Sequence, residues 1–340
     1  MRIGIDARKI GDFGIGTYIR GLLGGLARYA DEEDYVVLAP AAARPLIPRR
    51  FEHVVLDAPH YSIRELFLVG QAVRRAAIDL LHAPHYVIPL TRRPVVVTIH
   101  DLIHLHQRHG NPFASLYART MLARAVRRSA HILTVTEAVK REIVARFGCP
   151  ASKVTVTPNG VDERFRAAGP NAHPSPYFLY AGNDKPHKNV DRLVEAFALV
   201  RGRRGETALV LAGSRFERHQ GRDGVITPGF VDETELASLY RGALALVQPS
   251  IEEGFGLPAA EAMASGVAVI TSTAPALVEI TGDAALHADA FSIESLAEAM
   301  LRIAGDDELR LLLARRGMER ARSMTWDRCA ESTRGVYLAM

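Results

Sequence analysis

Short apolar runs alternate with longer amphipathic stretches along the whole chain. In the first half the runs cover residues 35–38, 54–56, 95–99, 132–135 and 154–156. In the second half they cover residues 177–180, 208–211, 225–227, 243–247 and 267–270. Short apolar runs separated by helical stretches are typical of the buried strands of parallel sheets. The pattern therefore predicts an α/β fold.

The two sets of runs are separated by residues 167–176, the densest stretch of Pro, Gly, Ser and Asn in the chain. This composition favours a linker over a helix or a strand. We therefore predict two Rossmann-like domains with doubly wound parallel sheets, residues 1–168 and residues 175–324. Ligands of such sheets bind beyond the carboxyl ends of the strands, so we expect the site in a cleft between the domains.

The composition is that of a globular protein, with 340 residues of which 48% are hydrophobic. No apolar run reaches the roughly 18 residues that a membrane-spanning helix needs, and the chain enters a strand pattern at Arg2 without a signal peptide. We expect a cytoplasmic location. Cys149 and Cys329 stand alone in the sequence, so neither a disulfide framework nor a zinc site is expected.

Charge is distributed unevenly along the chain. Residues 1–166 carry 24 Lys and Arg against 15 Asp and Glu, whereas the remainder carries 18 against 23. The basic first half is explained either by solvated arginines or by contact with an acidic surface such as an anionic membrane. Nucleic acid is not an expected partner, because no basic stripe interleaved with aromatic residues occurs.

The segment from Glu253 to Glu261 places two carboxylates on either side of a glycine loop. Pro258 suits the first turn of a helix, so the loop before it presents backbone N–H groups at the positive end of the helix dipole. Helix starts of this kind bind phosphate. The two carboxylates are then placed to reach opposite ends of one ligand, and a nucleotide sugar has that shape.

The loop after the first strand run of the second half contains Lys188, followed by Asn189 as a candidate helix N-cap. A lysine in such a loop is a natural partner for a diphosphate leaving group, because it neutralises the developing negative charge. The structural alternative is a solvated surface lysine. Lys188 is preferred to Lys185 because of its position beside the helix start.

Glycines also cluster near the N-terminus, where Gly14 and Gly16 precede an apolar-periodic helix. They would let a phosphate or a sugar approach the backbone closely, although a turn with two structural glycines is an equal alternative. A third candidate loop contains Phe230 and Val231. Its backbone groups either bracket a nucleobase or form a plain connection.

His100 and Asp101 follow the strand run 95–99, at the end where active-site residues of α/β domains lie. The structural alternative is a buried histidine that Asp101 orients. His104, His106 and His109 have spacings that suggest a metal cluster. No other ligands converge with them in the sequence, so no metal site is predicted.

Together these motifs resemble the retaining glycosyltransferases of family 4, which have the two-domain GT-B fold. The resemblance extends over the whole chain. Its most specific part is the glutamate pair followed by residues 262–266, and its other parts are the N-terminal glycine loop, His100-Asp101, residues 157–162 and the Gly182 to Asn189 loop. The His100–Ile103 segment and the loop at Gly14 most resemble bacterial mannosyltransferases of O-antigen and exopolysaccharide assembly.

The resemblance implies a role for each matching residue. Glu261 holds the ribose hydroxyls, and Glu253 holds the hydroxyls of the donor sugar. Lys188 binds the phosphates, and His100 contacts the reacting sugar. Further donor contacts are implied for the amides of residues that share the glycine loop or its N-terminal counterpart, namely Phe255, Gly256, Leu257, Gly14 and Gly16.

Other expectations are less specific to the motifs. We include Asn183, Phe230 and Val231 in the donor site, and we expect the acceptor near His85 and Asp101. The segment from about residue 325 to residue 340 resembles the final helix of the family, which packs back on the first domain.

One departure from the family pattern concerns the phosphate loop. Many members have an arginine directly before the phosphate-binding lysine or earlier in that loop, whereas this chain has His187 and Asn183 there. The resemblance therefore leaves open whether a second cation comes from elsewhere, for example from Lys185, or is absent.

The implied reaction is retaining transfer of a hexosyl unit, by subgroup resemblance mannosyl from GDP-mannose, to a saccharide or lipid-linked acceptor. Such transfer needs stabilisation of the departing diphosphate, and neither a cofactor nor a metal is expected if Lys188 and the helix dipole supply it. The alternatives are a sugar-nucleotide 2-epimerase-like isomerase, which needs no acceptor, and a nucleotide-sugar binder without turnover.

Residues 113–128 combine apolar and arginine side chains in a helical pattern. The helix either lies on anionic lipid at the inner face of the membrane or packs on the first domain with its arginines in water. The second interpretation is preferred.

Overall fold

A computed structural model describes residues 1–29, 31–59, 62–106, 112–166, 169–171 and 176–340. The chain divides into two compact units, the first formed by Met1–Gly160 with Trp326–Met340 and the second by Val161–Thr325. The division falls a few residues before the linker predicted at 167–176. Residues 167–168 and 172–175 of that linker lie outside the described residues.

The first unit contains a seven-stranded parallel sheet with strand order β3-β2-β1-β4-β5-β6-β7. Its strands are β1 (Arg2–Asp6), β2 (Asp34–Ala39), β3 (Glu52–Val55), β4 (Leu80–Ala83), β5 (Val95–Ile99), β6 (His131–Thr134) and β7 (Val154–Val156). The order reverses between β1 and β4, so the carboxyl ends of these two strands flank the switch point at which doubly wound sheets bind ligands.

Helices cover both faces of this sheet, and their apolar positions form two buried clusters with the strands. The α-helices are α1 (Ile15–Leu26), α2 (Ile63–Arg75), α3 (Ile103–His106), α4 (Pro112–Arg128), α5 (Glu137–Phe147) and α12 (Trp326–Leu338). Short 3-10 helices cover Ala27–Tyr29, Ala41–Leu46 and Ala151–Lys153.

The second unit repeats the design with six parallel strands in the order β10-β9-β8-β11-β12-β13. The strands are β8 (Tyr177–Asn183), β9 (Ala208–Ser214), β10 (Val225–Gly229), β11 (Ala245–Gln248), β12 (Ala268–Ser272) and β13 (Ala285–Ala288). Here the order reverses between β8 and β11. The two parallel sheets confirm the predicted fold class.

The helices of the second unit pack their buried faces on this sheet. They are α6 (Val190–Arg203), α7 (Glu233–Gly242), α8 (Leu257–Ala264), α9 (Pro275–Thr281), α10 (Ile293–Gly305) and α11 (Asp307–Ala321). Short 3-10 helices cover Glu163–Phe165, Pro186–Lys188, Glu217–His219 and Gly282–Ala284.

Two strands were not predicted. β4 is short, carries His82 and is followed by a proline, yet all four of its residues are buried. β13 consists of Ala285, Leu286, His287 and Ala288, which lack the β-branched side chains that mark strands. Both strands are recognised only from their pairing with β1, β5 and β12.

Helix α4 packs on the first unit, as preferred from the sequence. Leu122 is fully buried and Ala125 lies beside it in the core, whereas Leu116 is 63% exposed. The side chain of Phe113 lies outside the described residues. No helix of the described ranges combines the length and the apolar character that crossing a membrane requires.

The C-terminal helix α12 lies directly against α1 because two glycines of α1 make room for it. A Cβ atom at Gly21 would lie 2.1 Å from Cδ2 of Trp326, and one at Gly25 would lie 2.6 Å from Cβ of Ala330. Such distances exclude any side chain at either position. The core of the first unit therefore includes a helix that follows the second unit in sequence.

We predict that Gly21→Ala destabilises the first unit by about 1–3 kcal/mol, because the added methyl overpacks the contact with Trp326. Gly24→Ala is the matched control, since it lies in the same helix with nothing within 4 Å of its Cβ position. Better helix propensity should leave that variant as stable as the wild type or more so. Thermal unfolding measures both, and equal melting temperatures for the two variants would contradict the packing.

Candidate functional site

The carboxyl ends of β8 and β11 hold a buried ion pair in the second unit. Nζ of Lys188, just after β8, lies 2.7 Å from Oε1 of Glu253, which follows β11. The amide of Gln248 and the hydroxyl of Ser250 donate to the same oxygen at 2.8 and 2.7 Å. Two residues 65 positions apart in sequence thus meet at the switch point of the sheet.

The ion pair fixes the charge of the Glu253 side chain. Burial alone would raise the pKa of Glu253, but the charge and hydrogen bond of Lys188, helped by Ser250 and Gln248, bring it below its ordinary value. The carboxylate is therefore ionised at neutral pH. All three of its hydrogen bonds reach Oε1, and among the described residues Oε2 accepts none.

The glycine loop continues from this pair into helix α8. Gly256 has φ of 93°, and a Cβ atom there would lie 2.4 Å from Leu277, so only glycine fits. The Gln248 side chain also accepts from the backbone N–H of Ala259, in the first turn of α8. One glutamine therefore ties the helix start to the ion pair. Phe255 is buried and anchors the loop, and Leu257 begins the helix.

Glu261 lies one turn further along α8 and has a different environment. The hydroxyl of Tyr240 donates to its Oε2 at 2.9 Å. Burial raises the pKa of Glu261 to about 7, and the hydrogen bond from Tyr240 opposes this only in part. The two glutamates that bracket the loop thus have pKa values shifted in opposite directions, because only Glu253 has a cationic partner.

The other predicted donor residues lie on neighbouring strand ends of the same unit. Asn183 ends β8, and its buried Oδ1 has no hydrogen-bond partner among the described residues. Phe230 follows β10 with 72% of its surface exposed, and Val231 is half-buried beside it. The structure therefore places the candidate residues of the second unit at the carboxyl ends of its strands.

The first unit has a small cavity of about 60 Å³ at its own switch point. It is lined by residues that follow β1, β4 and β5 or belong to α1, α3 and β5: Lys9, Ile15, His85, Tyr86, Val87, Thr98, His100, Asp101 and His104. The predicted residues His85, His100 and Asp101 are thus brought together.

His100 is held in one tautomer. Its Nε2 lies 3.1 Å from the carbonyl oxygen of Pro84, which can only accept, so Nε2 carries the proton. Burial lowers the pKa of His100, against the opposing charge of Asp101, so the ring is neutral. Nδ1 is then an acceptor. The neighbouring ring of Tyr18 packs edge-on with centroids 4.7 Å apart and fixes the orientation of the imidazole.

His85 is almost fully buried, and one of its ring nitrogens accepts a hydrogen bond. The backbone N–H of Val87 donates to Nδ1 at 3.2 Å, and Nε2 lies 3.4 Å from Oδ2 of Asp6. Arg8 binds Asp6 through two nitrogens at 2.8 and 2.7 Å and also reaches Glu65. This arrangement orients the ring of His85, which lines the cavity with His100 and Asp101, and its predicted acceptor contact stays a prediction.

The two glycines of the N-terminal loop differ in what they allow. Gly14 has φ of 64° and open space where a Cβ would stand. At Gly16 a Cβ would lie 2.6 Å from the carbonyl oxygen of Ile10. Glycine is therefore required at position 16 because the backbone of Ile10 leaves no space for a side chain. Of the two, only Gly14 has space beside it that a ligand could occupy.

Several polar residues of the site were not predicted. His82 is fully buried, with Nδ1 2.6 Å from the hydroxyl of Tyr337 and Nε2 2.7 Å from the hydroxyl of Thr98, which lies 3.1 Å from that of Tyr18. Burial lowers the pKa of His82 to about 3. This network connects the cavity wall at Thr98 to helix α12. Asp6 and Arg8 were also missed, although they lie at the carboxyl end of β1, and a position at a strand's carboxyl end is the signal that identified His100.

The histidines that suggested a metal cluster do not form one where the structure describes them. His106 pairs with Glu142 at 3.0 Å, and His109 lies outside the described residues. In the described part of the chain, no three His, Cys, Asp or Glu side chains group as metal ligands would.

Comparisons with known proteins show the family of the chain. Residues 14–165 match the family model described as Glycosyltransferase Family 4, and residues 161–320 match that of Glycosyl transferases group 1. The chain belongs to glycosyltransferase family 4. The match at residues 161–320 covers the Lys188, Glu253 and Glu261 positions of this family 4 enzyme.

Relatives of this glycosyltransferase include two bacterial mannosyltransferases. O-antigen chain mannosyltransferase B of Escherichia coli is 29% identical over 281 residues, which cover 76% of this chain and 74% of the relative. O-antigen chain mannosyltransferase RfbU of Salmonella typhimurium is 31% identical over 234 residues, 66% of this chain and 64% of the relative.

Among solved structures, sucrose-phosphate synthase from Thermosynechococcus elongatus superposes with a TM-score of 0.81 at 20% identity. The match covers 100% of this chain and 98% of that one. The fold of this family 4 glycosyltransferase is therefore GT-B.

The ion pair predicts how stability depends on pH. Its lowered pKa means that Glu253 contributes stability above the ordinary carboxyl pKa and loses it as pH falls through the folded value. In Lys188→Met the buried carboxylate is unpaired, which costs up to about 3–5 kcal/mol. Burial then raises its pKa, so we expect the melting-temperature deficit against wild type to be larger at pH 8 than at pH 5.5.

The double variant Lys188→Met/Glu253→Gln is the control, because glutamine removes the unpaired charge. It should recover part of the deficit and make the remainder nearly independent of pH. A single variant whose deficit is the same at both pH values would show that Glu253 does not depend on Lys188.

Proposed function

We propose that this enzyme transfers a hexosyl unit, with retention of anomeric configuration, from a nucleoside diphosphate sugar to a saccharide or lipid-linked saccharide. GDP-mannose is the proposed donor, supported by the two mannosyltransferase relatives. The observation that carries the proposal is the Lys188–Glu253 pair beside the glycine loop, with Glu261 one turn along the same helix.

The second unit supplies the donor contacts. Lys188 binds the diphosphate, and the start of α8 adds its dipole and the amides of Phe255, Gly256 and Leu257. Glu253 accepts from a sugar hydroxyl through Oε2. Glu261 accepts from the ribose hydroxyls at the other end of the loop. Asn183, Phe230 and Val231 complete the proposed donor contacts, and the exposed ring of Phe230 is the proposed stacking partner of the nucleobase.

The first unit supplies His100, Gly14 and the acceptor contacts. The neutral ring of His100 offers Nδ1 as an acceptor for a hydroxyl of the reacting sugar. His85 and Asp101 are the proposed acceptor contacts, since both line the same cavity. Gly14 allows close approach of the diphosphate, and Gly16 supports the loop.

Transfer requires the C–O bond to the diphosphate to break while the acceptor hydroxyl lies on the same face of the sugar. Lys188 and the helix dipole stabilise the charge that develops on the leaving diphosphate. Glu253 is held by three donors and serves to orient the sugar. We propose that the leaving phosphate takes the acceptor proton and that no metal ion is required.

Peripheral contact with an anionic membrane is a further part of the proposal. Exposed Leu116 lies on α4 with exposed Arg119, Arg127 and Arg128, a combination that suits a lipid surface. Such contact would bring a lipid-linked acceptor to the enzyme.

The proposed donor is tested by thermal shift and slow hydrolysis with GDP-mannose, UDP-glucose and UDP-GlcNAc, with and without EDTA. We expect stabilisation by GDP-mannose and EDTA-insensitive release of GDP. Lys188→Ala should lower kcat/KM by about a hundredfold, as loss of an electrostatic stabiliser does.

Conversion of the donor to an epimer without acceptor would indicate the isomerase instead. Stabilisation without hydrolysis or transfer would indicate a binder. Unchanged kinetics of Lys188→Ala would contradict the role of this lysine.

Donor affinity should depend on pH through Glu261. Its pKa of about 7 means that the free site is mostly protonated at pH 6 and ionised at pH 8. Because only the ionised form accepts from both ribose hydroxyls, we expect GDP-mannose to bind about tenfold more tightly at pH 8. Calorimetry measures this directly, since a nucleotide sugar has no phosphate that titrates in this range.

Glu261→Gln is the control for other titrating groups. It should bind more weakly than wild type at pH 8, with little change between pH 6 and pH 8. The same pH dependence in wild type and variant would assign the effect elsewhere.

A further inference from the structure

The charge at the second-unit site does not match a diphosphate. Lys188 brings one positive charge, and Glu253 neutralises it at 2.7 Å. A nucleotide sugar carries a negative charge on each of its two phosphates. Binding it beside a neutral pair, with only a helix dipole to help, leaves most of that charge uncompensated. The site therefore requires a second cation.

Two arginines near the carboxyl ends of the second-unit strands already bind protein side chains. Arg218 donates to both oxygens of Asp184 at 2.5 and 2.7 Å and lies 3.1 Å from Asp191. Arg192 donates to Oδ1 of Asn189 at 2.7 Å. Each of these guanidinium groups donates to an acceptor of the protein, so its hydrogen-bonding capacity is already used within the fold.

Arg215 differs in its contacts and in its backbone. It is exposed, and among the described residues no hydrogen-bond or ion-pair partner reaches its guanidinium. Its φ is 70°, a region that long side chains rarely adopt. Strained conformations of this kind concentrate at functional sites.

The sheet register places Arg215 beside the phosphate loop. Gly213 and Ser214, at the end of β9, pair with Gly182 and Asn183 at the end of β8. The strands are so close there that a Cβ at Gly213 would lie 1.7 Å from the carbonyl oxygen of Gly182. Arg215 directly follows Ser214, the partner of Asn183, whose buried Oδ1 has no hydrogen-bond partner among the described residues.

We propose that Arg215 is the second cation of the donor site and binds the diphosphate together with Lys188. The inference rests on the proposed function of that site. Lys185 is also exposed and donates to no acceptor among the described residues, but its ammonium is a point charge, whereas a guanidinium binds phosphate through two parallel N–H groups.

The test is calorimetric binding of GDP and of guanosine at pH 8, with UDP and uridine in parallel. We expect Arg215→Ala to weaken the binding of the nucleoside diphosphate by about tenfold to a hundredfold, as loss of a charge-assisted contact does. The affinity for the nucleoside should not change. Arg215→Gly should show the same loss without a lower melting temperature, because glycine relieves the strained backbone.

Two variants serve as controls. Arg222→Ala removes an exposed arginine that lies before β10, at the amino ends of the strands and away from the site, and should bind within twofold of wild type, as should Lys185→Ala. The inference would be overturned if Arg215→Ala bound the diphosphate within twofold of wild type, or if only Lys185→Ala lost diphosphate affinity. Either result would leave the proposed donor site itself uncontradicted. A wild-type protein that binds neither diphosphate would overturn the proposed function and this inference with it.

Discussion

The buried contact between Lys188 and Glu253 organises the second unit. It joins the loops after β8 and β11, and Gln248 extends it to the first turn of α8. A buried ion pair is costly unless further hydrogen bonds satisfy it, and Gln248 and Ser250 supply them. The glycine loop is therefore held between an ion pair and a helix start. The same contact limits the charge that Lys188 offers a ligand, so the stability of the loop and the charge of the site are linked.

In the first unit, neutral groups orient His100, whereas Arg8 forms buried ion pairs with Asp6 and Glu65 beside His85. His100 is fixed by the Pro84 carbonyl and by the ring of Tyr18, and the buried histidine beneath it, His82, is satisfied by Thr98 and Tyr337. Since Tyr337 lies on α12, the cavity wall depends on a helix from the far end of the chain. Contacts at Gly21 and Gly25 hold that helix in place.

The sequence predicts the sheets well because buried parallel strands have a strong apolar pattern. The pattern does not predict β4, where hydrogen bonds satisfy a buried histidine. Nor does it predict β13, where alanines stand in place of β-branched residues. The loops that carry Lys188 and Glu253 are visible as motifs, but their contact spans 65 residues and follows only from strand order. Opposite pKa shifts of Glu253 and Glu261 depend on which carboxylate meets a lysine. No local pattern encodes that.

The most direct test of the account is a crystal structure of the enzyme with GDP-2-deoxy-2-fluoromannose, a slowly reacting donor analogue. The account predicts diphosphate oxygens within hydrogen-bond distance of Lys188 Nζ, ribose hydroxyls on the Glu261 carboxylate and a sugar hydroxyl on Oε2 of Glu253. A nucleotide bound with its ribose away from Glu261, or a diphosphate that does not contact Lys188, would contradict it.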